Sequence, residues 1–478
     1  MAKHGDIGSR LNEWRPPVYE LGPSESDMTQ QIKAAIGEIN IAEDGWMKTC
    51  GTIDKVLGVV ISQFTKVASS LYPGLIIQDE AIRQGSSREG LKVRYANEYD
   101  FMLPFTIEGV HLVHYDVYDC HGRILPGLLK MKVQNDHEIR GTYPWINELG
   151  IIDASGMLDS GKIQKTLFTK ILDRSLNKIN EQLDGESKRT GYRYRVTRSI
   201  NSTNFKLTVQ FEGSIREVHD AFQGLKLFIP ESFSRLQSSG ISTSDIDFVP
   251  GMLIGRDVIP NPYCVKEYHL ETMVCERYAV MKWINKKNTN IKEADKSLLW
   301  RNSSAGYEKH ILDVARRNPS QRYILTACRI LKAYITNEKF DWYCNDQLVV
   351  LMKSYYLKML CFYYIIFLTV PNSANRVSGV KEALGYMIVF LEKSLNAGYL
   401  PHFFHGNPWL SVILPGCYFE EESEKYNLFS EASGSTIQQA RLSIKRLKER
   451  LQGLFLSEQY LDQEKIKMFT DILSQVKK

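Results

Sequence analysis

Between residues 44 and 72 apolar side chains recur every three or four positions, at Ile53, Val56, Leu57, Val60, Ile61, Phe64, Val67 and Leu71. That spacing predicts one long amphipathic helix, closed by Pro73-Gly74. The period then shortens to two. Leu91, Val93 and Tyr95 alternate with Lys92 and Arg94, predicting a strand over 91–95, and residues 111–118 and 192–200 alternate in the same way. Residues 205–211 are expected to pair with 192–200 as a hairpin across Asn201-Ser202-Thr203-Asn204, and a further strand is expected over 245–249. After Trp300 the helical period returns and persists, predicting helices over 307–317, 321–336, 346–368, 380–397 and 435–456. The pattern therefore predicts an α+β amino-terminal part followed by an all-helical part, with no internal repeat.

The first 27 residues, with Pro16, Pro17, Gly22 and Pro23, are expected to be a flexible tail. Residues 28–290 would form the α+β core with its spine helix, and 291–478 the helical lobe. The first 25 residues lack the apolar core of a signal peptide. The strongest apolar run, 359–370, is about half of the roughly 20 residues a membrane span needs, so it reads as a buried helix of a soluble protein.

With 43% hydrophobic and 24% charged residues, the 478-residue chain has ample material for a packed core. A net charge of +5 is only mildly basic, so any nucleic-acid contact has to come from local clusters. The eight cysteines form no CxxC pair and no His/Cys group at metal-site spacing. A reduced, cytoplasmic location is the simplest expectation.

Candidate chemistry concentrates in Gly85-Ser86-Ser87-Arg88-Glu89-Gly90 and the acids that follow it. Gly85 permits a backbone conformation and a close approach that a Cβ would block, and Ser86 and Ser87 offer hydroxyl and amide donors suited to a triphosphate. Glu98 and Asp100 stand at i and i+2 on an expected strand, so both side chains leave the same face, with Cα atoms roughly 6–7 Å apart. Two carboxylates that close repel unless cations bridge them, and such oxygen ligands suit Mg²⁺ with substrate phosphates. An exposed acidic strand edge is the alternative. A third carboxylate could come from Ser244-Asp245-Ile246-Asp247-Phe248, where Asp247 is preferred because it leads directly into an apolar pair; Asp245 stays open.

The run GSSREGLKVRYANEYDFM resembles the active-site signature of the cyclic GMP–AMP synthase and Mab-21 family, specifically the animal cGAS-like receptors. The DFVP segment resembles that family's third-aspartate strand. Trp300-Arg301-Asn302-Ser303, with Glu308-Lys309-His310-Ile311-Leu312 behind it, is similar to a further motif of the family, as are Cys328-Arg329-Ile330-Leu331-Lys332 and Ser354-Tyr355-Tyr356-Leu357-Lys358. Together these matches span about residues 28–415. They imply a bilobed, polymerase-β-like nucleotidyltransferase: a mixed sheet with a long spine helix, completed by a helical lobe. Glu98, Asp100 and Asp247 would be the catalytic carboxylates and would hold two Mg²⁺ (or Mn²⁺) ions. Gly85, Ser86, Ser87, Arg301, Ser303, Glu308, Lys332, Ser354, Tyr355 and Lys358 would bind nucleotide, with Tyr355 stacking on a base and Lys332, Ser354 and Lys358 at the phosphates. Ala305 stands where the family often has a serine, so that hydroxyl contact is missing, and the base preference is left open.

The resemblance also carries expectations about partners. Vertebrate cyclic GMP–AMP synthase has a His/Cys/Cys/Cys zinc thumb after the Glu-Lys-x-Ile-Leu helix, whereas this chain has only Cys328 between Leu312 and Lys332. No zinc is expected. Arg316, Arg317 and Arg322 stand there instead, and zinc-free cGAS-like receptors are often activated by double-stranded RNA. Double-stranded RNA is the preferred activator, ahead of double-stranded DNA. Lys48, Lys55 and Lys66, spaced by 7 and 11 residues, share one stripe of the long helix. With Arg193, Arg195, Lys282, Lys286 and Lys287 they would, on the family resemblance, face the duplex, although each set taken alone reads as solvated surface. Phosphate and shape contacts would dominate such binding. ATP and GTP would be joined into a cyclic dinucleotide with release of pyrophosphate, for a STING-type receptor in innate immune signalling; a dimer on the duplex is allowed for. A catalytically silent Mab-21-like scaffold is the alternative, and a template-independent polymerase a third.

Overall fold

The structure is a computed structural model that describes residues 14–15, 19, 30–41, 43–93, 98–190, 193–198, 205–212, 241–259, 273–281, 291–317, 319–336, 346–369, 377–407, 410, 416–421 and 425–474. A short helix, α1 (Gln30–Ile39), precedes the long α2 (Glu43–Leu71). The inner face of α2 is set by Trp46, Ile53, Val56, Leu57, Val60, Phe64 and Val67, all buried, as the 3–4-residue spacing requires. The helix stops where predicted. Gly74, at φ +81°, reverses the chain beneath Tyr143, whose ring occupies the space a Cβ would take.

Strands β1 (Leu75–Ile77) and β2 (Ile82–Gln84) both pair with β3 (Glu98–Ile107), at different levels. Between β2 and β3 lies a single helical turn, α3 (Gly85–Arg88). The chain continues through β4 (Leu112–Tyr118), β5 (Ile124–Val133), α4 (Asp136–Thr142) and α5 (Trp145–Leu149). A π-helical turn, Ile163–Phe168, then leads into α6 (Thr169–Thr190), followed by β6 (Arg193–Arg198), β7 (Phe205–Glu212), β8 (Ile241–Ile259), β9 (Met273–Met281) and β10 (Trp300–Ser303). These strands form one mixed sheet in the order β1-β3-β8-β9-β10-β5-β4, with β2 also on β3, β7 on β8 and β6 on β7. The pair β3–β8 is parallel. Its two strands are far apart in sequence, as a parallel crossover demands.

Alternation along β3 and β8 separates two chemistries. Tyr99, Phe101, Ile246 and Phe248 are buried, and Phe248 stacks on Phe64 of α2 at 6.5 Å and on Phe101 at 5.9 Å. Glu98, Asp100, Asp245 and Asp247 therefore leave the sheet on the face away from α2.

The second lobe contains α7 (Ala305–Arg317), α8 (Pro319–Thr336), α9 (Gln347–Leu351), α10 (Ser354–Thr369), α11 (Val380–Ala397), α12 (Gly434–Arg450) and α13 (Gln463–Ser474). In α10 every residue from Leu357 to Ile365 is buried or nearly so, which explains the apolar run as a central core helix. Among the described residues no helix is long and apolar enough to cross a membrane.

Four expectations are corrected. Leu91 to Val93 form no strand; the strand begins at Glu98, and residues 94–97 lie outside the described residues. The helix expected over 346–368 is two helices: α9, capped by Asp346 through Leu348 N at 2.9 Å, ends where Met352 leaves helical geometry, and α10 restarts at Ser354; α9 packs on α12, whereas α10 packs on α8 and α11. The lobes also exchange segments. Ile32, Ala35 and Ile39 of α1 bury in the helical core, while Trp300 belongs to the sheet core, since β10 pairs with β5 and β9. Finally, where a flexible tail was expected, Trp14 is buried against the sheet core and Tyr19 packs on the helical core.

Candidate active site

Pairing of β2 with β3 sets Gln84 beside Asp100, so the next residue, Gly85, has to pass directly over the Asp100 carboxylate. Its φ is +66°, and a Cβ there would overlap Asp100 Oδ2. Only glycine tolerates both conditions. The turn that follows is closed by Glu89 N to Gly85 O at 3.0 Å and Leu91 N to Ser86 O at 3.0 Å, and Ser87 Oγ ties it to β3 by donating to Glu98 O at 2.8 Å.

The parallel register places Asp247 opposite Asp100 and Asp245 opposite Glu98. Of the two β8 acids, Asp245 accepts a hydrogen bond from Thr208 Oγ1 at 2.8 Å. Burial pushes the Asp100 carboxyl up to about 6; Lys92 opposes the rise, and Glu98, Asp247 and Glu89 add to it. Lys92 Nζ donates to Glu98 O at 3.0 Å and reaches Oε2 at 3.5 Å, so the half-exposed Glu98 carboxylate leans toward this ammonium. A half-buried carboxylate crowded by like charges suits a divalent cation. Among the described residues, no three His, Cys, Asp or Glu side chains converge on one ion-sized point.

Behind the turn, buried charges join the lobes. Lys358 Nζ donates to Glu89 Oε1 at 2.8 Å and to Glu308 Oε2 at 2.6 Å, and Ser304 Oγ donates to Glu308 Oε1 at 2.6 Å. Burial disfavours the Lys358 ammonium, but Glu308 and Glu89 outweigh it and hold its pKa above the ordinary value. Arg88 pairs with Asp313 at 3.1 Å. Lys332 Nζ donates to Leu91 O at 3.1 Å and Arg329 Nη2 to Lys92 O at 2.7 Å. Burial pulls Lys332 down to about 8 and Lys309 to about 7, each helped by a neighbouring cation, Lys92 or Arg88.

Tyr355 is anchored by a histidine. His402 Nδ1 lies 3.1 Å from both Phe404 N and His405 N, which donate to it. The neutral ring must then carry its proton on Nε2, 2.8 Å from the Tyr355 hydroxyl, so the imidazole donates and the phenol accepts. Burial, followed by His405, Arg301 and Lys358, keeps the His402 pKa well below its usual value.

No protein-family model and no curated protein sequence matches the chain. Solved structures do. CdnC of E. coli MS115-1 with ATP covers 92% of this chain and 96% of its own, at 11% identity and a TM-score of 0.41. The same CdnC in complex with HORMA-deltaN covers 93% and 96%, at 10% identity and a TM-score of 0.42. The cyclic dinucleotide synthase CdnE of Elizabethkingia meningoseptica, with GTP and Apcpp, covers 82% and 90%, at 13% identity and a TM-score of 0.32.

The structure brings Gly85, Ser86, Ser87, Glu98, Asp100 and Asp247 together across β2, β3 and β8. Arg301, Glu308, Tyr355 and Lys358 form a second group, electrostatically linked around Tyr355, and Glu89 connects the two through Lys358. Ser303 ends β10 and Ser354 opens α10. Of the cations expected to face a duplex, Lys55, Lys66 and Arg195 are exposed, whereas the side chains of Lys48, Arg193 and Arg317, and all of Lys282, Lys286 and Lys287, lie outside the described residues. Arg316 is turned inward against Gly90, where its guanidinium fills the space a Cβ would take, and burial draws it down to about 10. Arg322 is half-buried. Arg88, Glu89, Lys92, Asp313 and His402 were not among the residues singled out from sequence. The first three stand in the glycine-serine run, but only their distant partners give them work.

Proposed function

We propose that this chain is a metal-dependent nucleotidyltransferase that joins ATP and GTP into a cyclic dinucleotide. The observation that carries this is the in-register pair Asp100 and Asp247, with Glu98 on the same face and the Gly85-Ser86 turn lying on Asp100. Glu98, Asp100 and Asp247 would hold Mg²⁺ or Mn²⁺, which when bound lowers the pKa of an attacking hydroxyl and neutralises charge on the leaving pyrophosphate. Ser86 binds the donor triphosphate at the turn, whereas Ser87, fully buried with its hydroxyl on Glu98 O, braces the turn from within. The ring of Tyr355, held by His402, supplies a flat face for a base, and Arg301 a planar cation for a phosphate or base edge. Ser303 and Ser354 add hydroxyl donors at the same lobe junction. Lys332 and Lys358, expected at the phosphates, are buried behind the turn and instead fix Leu91, Glu89 and Glu308.

Activation by double-stranded RNA is part of the proposal, supported by the motif resemblance and by the exposed Lys55, Lys66 and Arg195. The product would be read by a STING-type receptor in innate immunity. The test is incubation of purified protein with all four labelled NTPs and Mg²⁺ or Mn²⁺, with and without duplex RNA or DNA. One small, phosphatase-resistant product is expected, strongest with duplex RNA. Long homopolymers would identify a tailing polymerase, and no product under any condition would identify a binding scaffold.

A further inference from the structure

Three residues ahead of α1 tie the two lobes to the turn that carries Gly85. Trp14 lies edge-on to Trp46, Tyr99 and Phe101, at centroid distances of 6.4, 5.3 and 5.5 Å, and its indole donates to Asp54 at 3.0 Å. Tyr99 and Phe101 flank Asp100, so Trp14 sits behind the carboxylate strand. Arg15 reaches Asp313 at 3.4 Å, and Asp313 is also the partner of Arg88, the last residue of α3. Tyr19 accepts a hydrogen bond from Arg329 Nη2 at 2.5 Å, lies under that guanidinium at 3.9 Å from ring centroid to carbon, and donates to Ile39 O at 3.1 Å. The same Arg329 nitrogen donates to Lys92 O, and Lys92 holds Glu98.

We infer that Trp14, Arg15 and Tyr19 form a clasp that positions the Gly85–Val93 turn against the carboxylates of β3 and β8. Two of the three share a buried charged partner with that turn: Asp313 between Arg15 and Arg88, Arg329 between Tyr19 and Lys92. A buried charge that loses one partner recruits another or drags its surroundings toward water, so release of the clasp and distortion of the turn are coupled. All three are positioning residues: Arg15 acts through Asp313 on Arg88 and Tyr19 through Arg329 on Lys92, and Trp14 backs Tyr99 and Phe101 on either side of Asp100. Their consequence for turnover rests on the proposed nucleotidyl transfer; their effect on the turn does not.

The experiment is amide hydrogen exchange on the full chain, comparing wild type with Arg15→Gln, Tyr19→Phe, Tyr19→Ala and the double variant Arg15→Gln/Tyr19→Ala. Exchange at residues 86–93 is expected to rise at least tenfold in the double variant and less in Tyr19→Phe, which keeps the ring under Arg329. Exchange in α11 should stay unchanged, which shows that the fold persists. In parallel, kcat for nucleotide transfer should fall about tenfold with KM for NTP within about threefold, because the turn and not the base platform is disturbed. Unchanged exchange at 86–93, or a uniform rise throughout the chain, would overturn the clasp. If wild type itself transfers no nucleotide, the catalytic proposal fails while the exchange data still decide the clasp.

Discussion

Asp100 of β3 and Asp247 of β8 stand side by side across a parallel strand pair, on the sheet face opposite α2. Burial raises the Asp100 pKa, and the Glu98 and Asp247 carboxylates add to the rise against the pull of Lys92, so like charge is crowded on this face. Asp100→Asn and Asp247→Asn should each lower metal-dependent transfer by at least about a hundredfold, in the range expected for loss of a charge-stabilising group. Mn²⁺ should raise the melting temperature of wild type and not of Asp100→Asn. Transfer that survives the double change Glu98→Ala/Asp100→Ala would rule out this centre.

Gly85 is constrained twice, by its positive φ and by Asp100. Gly85→Ala should destabilise the chain by about 1–3 kcal/mol and reduce transfer more than the equivalent change at Gly58, where a Cβ meets nothing within 4 Å. Denaturant titration and single-turnover rates on both variants check this.

Lys358 neutralises two buried glutamates at once. Removing it as Lys358→Met leaves Glu89 and Glu308 without that shared cation, at a cost of about 3–5 kcal/mol. Adding Glu308→Gln should recover part of that stability, measured by urea unfolding. Full additivity of the two changes would show that the pair does not act as a unit.

Lys309 has its pKa lowered by burial and by Arg88 to about 7. The folded state then binds fewer protons than the unfolded chain above pH 7, so this group's contribution makes stability rise with pH. Between pH 7 and 8.5 the gain should be roughly 1–2 kcal/mol, and Lys309→Met should remove that slope. Urea unfolding of both proteins across this range is the measurement; equal slopes would place the Lys309 ammonium in contact with water.

His402 orients Tyr355 through a single hydrogen bond to its hydroxyl. His402→Phe should raise KM for nucleotide several-fold with a smaller change in kcat, because the ring face persists but loses its fixed angle. Tyr355→Phe should behave similarly, and the double variant should be no worse than either alone.

Local pattern was enough for α2, for the hairpin β6–β7, and for the placement of Glu98 and Asp100 on one strand face, because each follows from side-chain periodicity within a few residues. The run from Gly85 to Gly90 announced a special turn by composition alone. Pairing of distant segments was beyond it. The parallel register that matches Asp100 with Asp247, the seat of Lys358 between Glu89 and Glu308, and the docking of Trp14 and Tyr19 on different lobes each join residues that no local period relates. They are decided by the order in which strands enter the sheet and by which buried charges find partners once the two cores close. Sequence by itself determined which polar and charged groups the chain carries and their local spacing, and only the tertiary structure decided which of those groups meet.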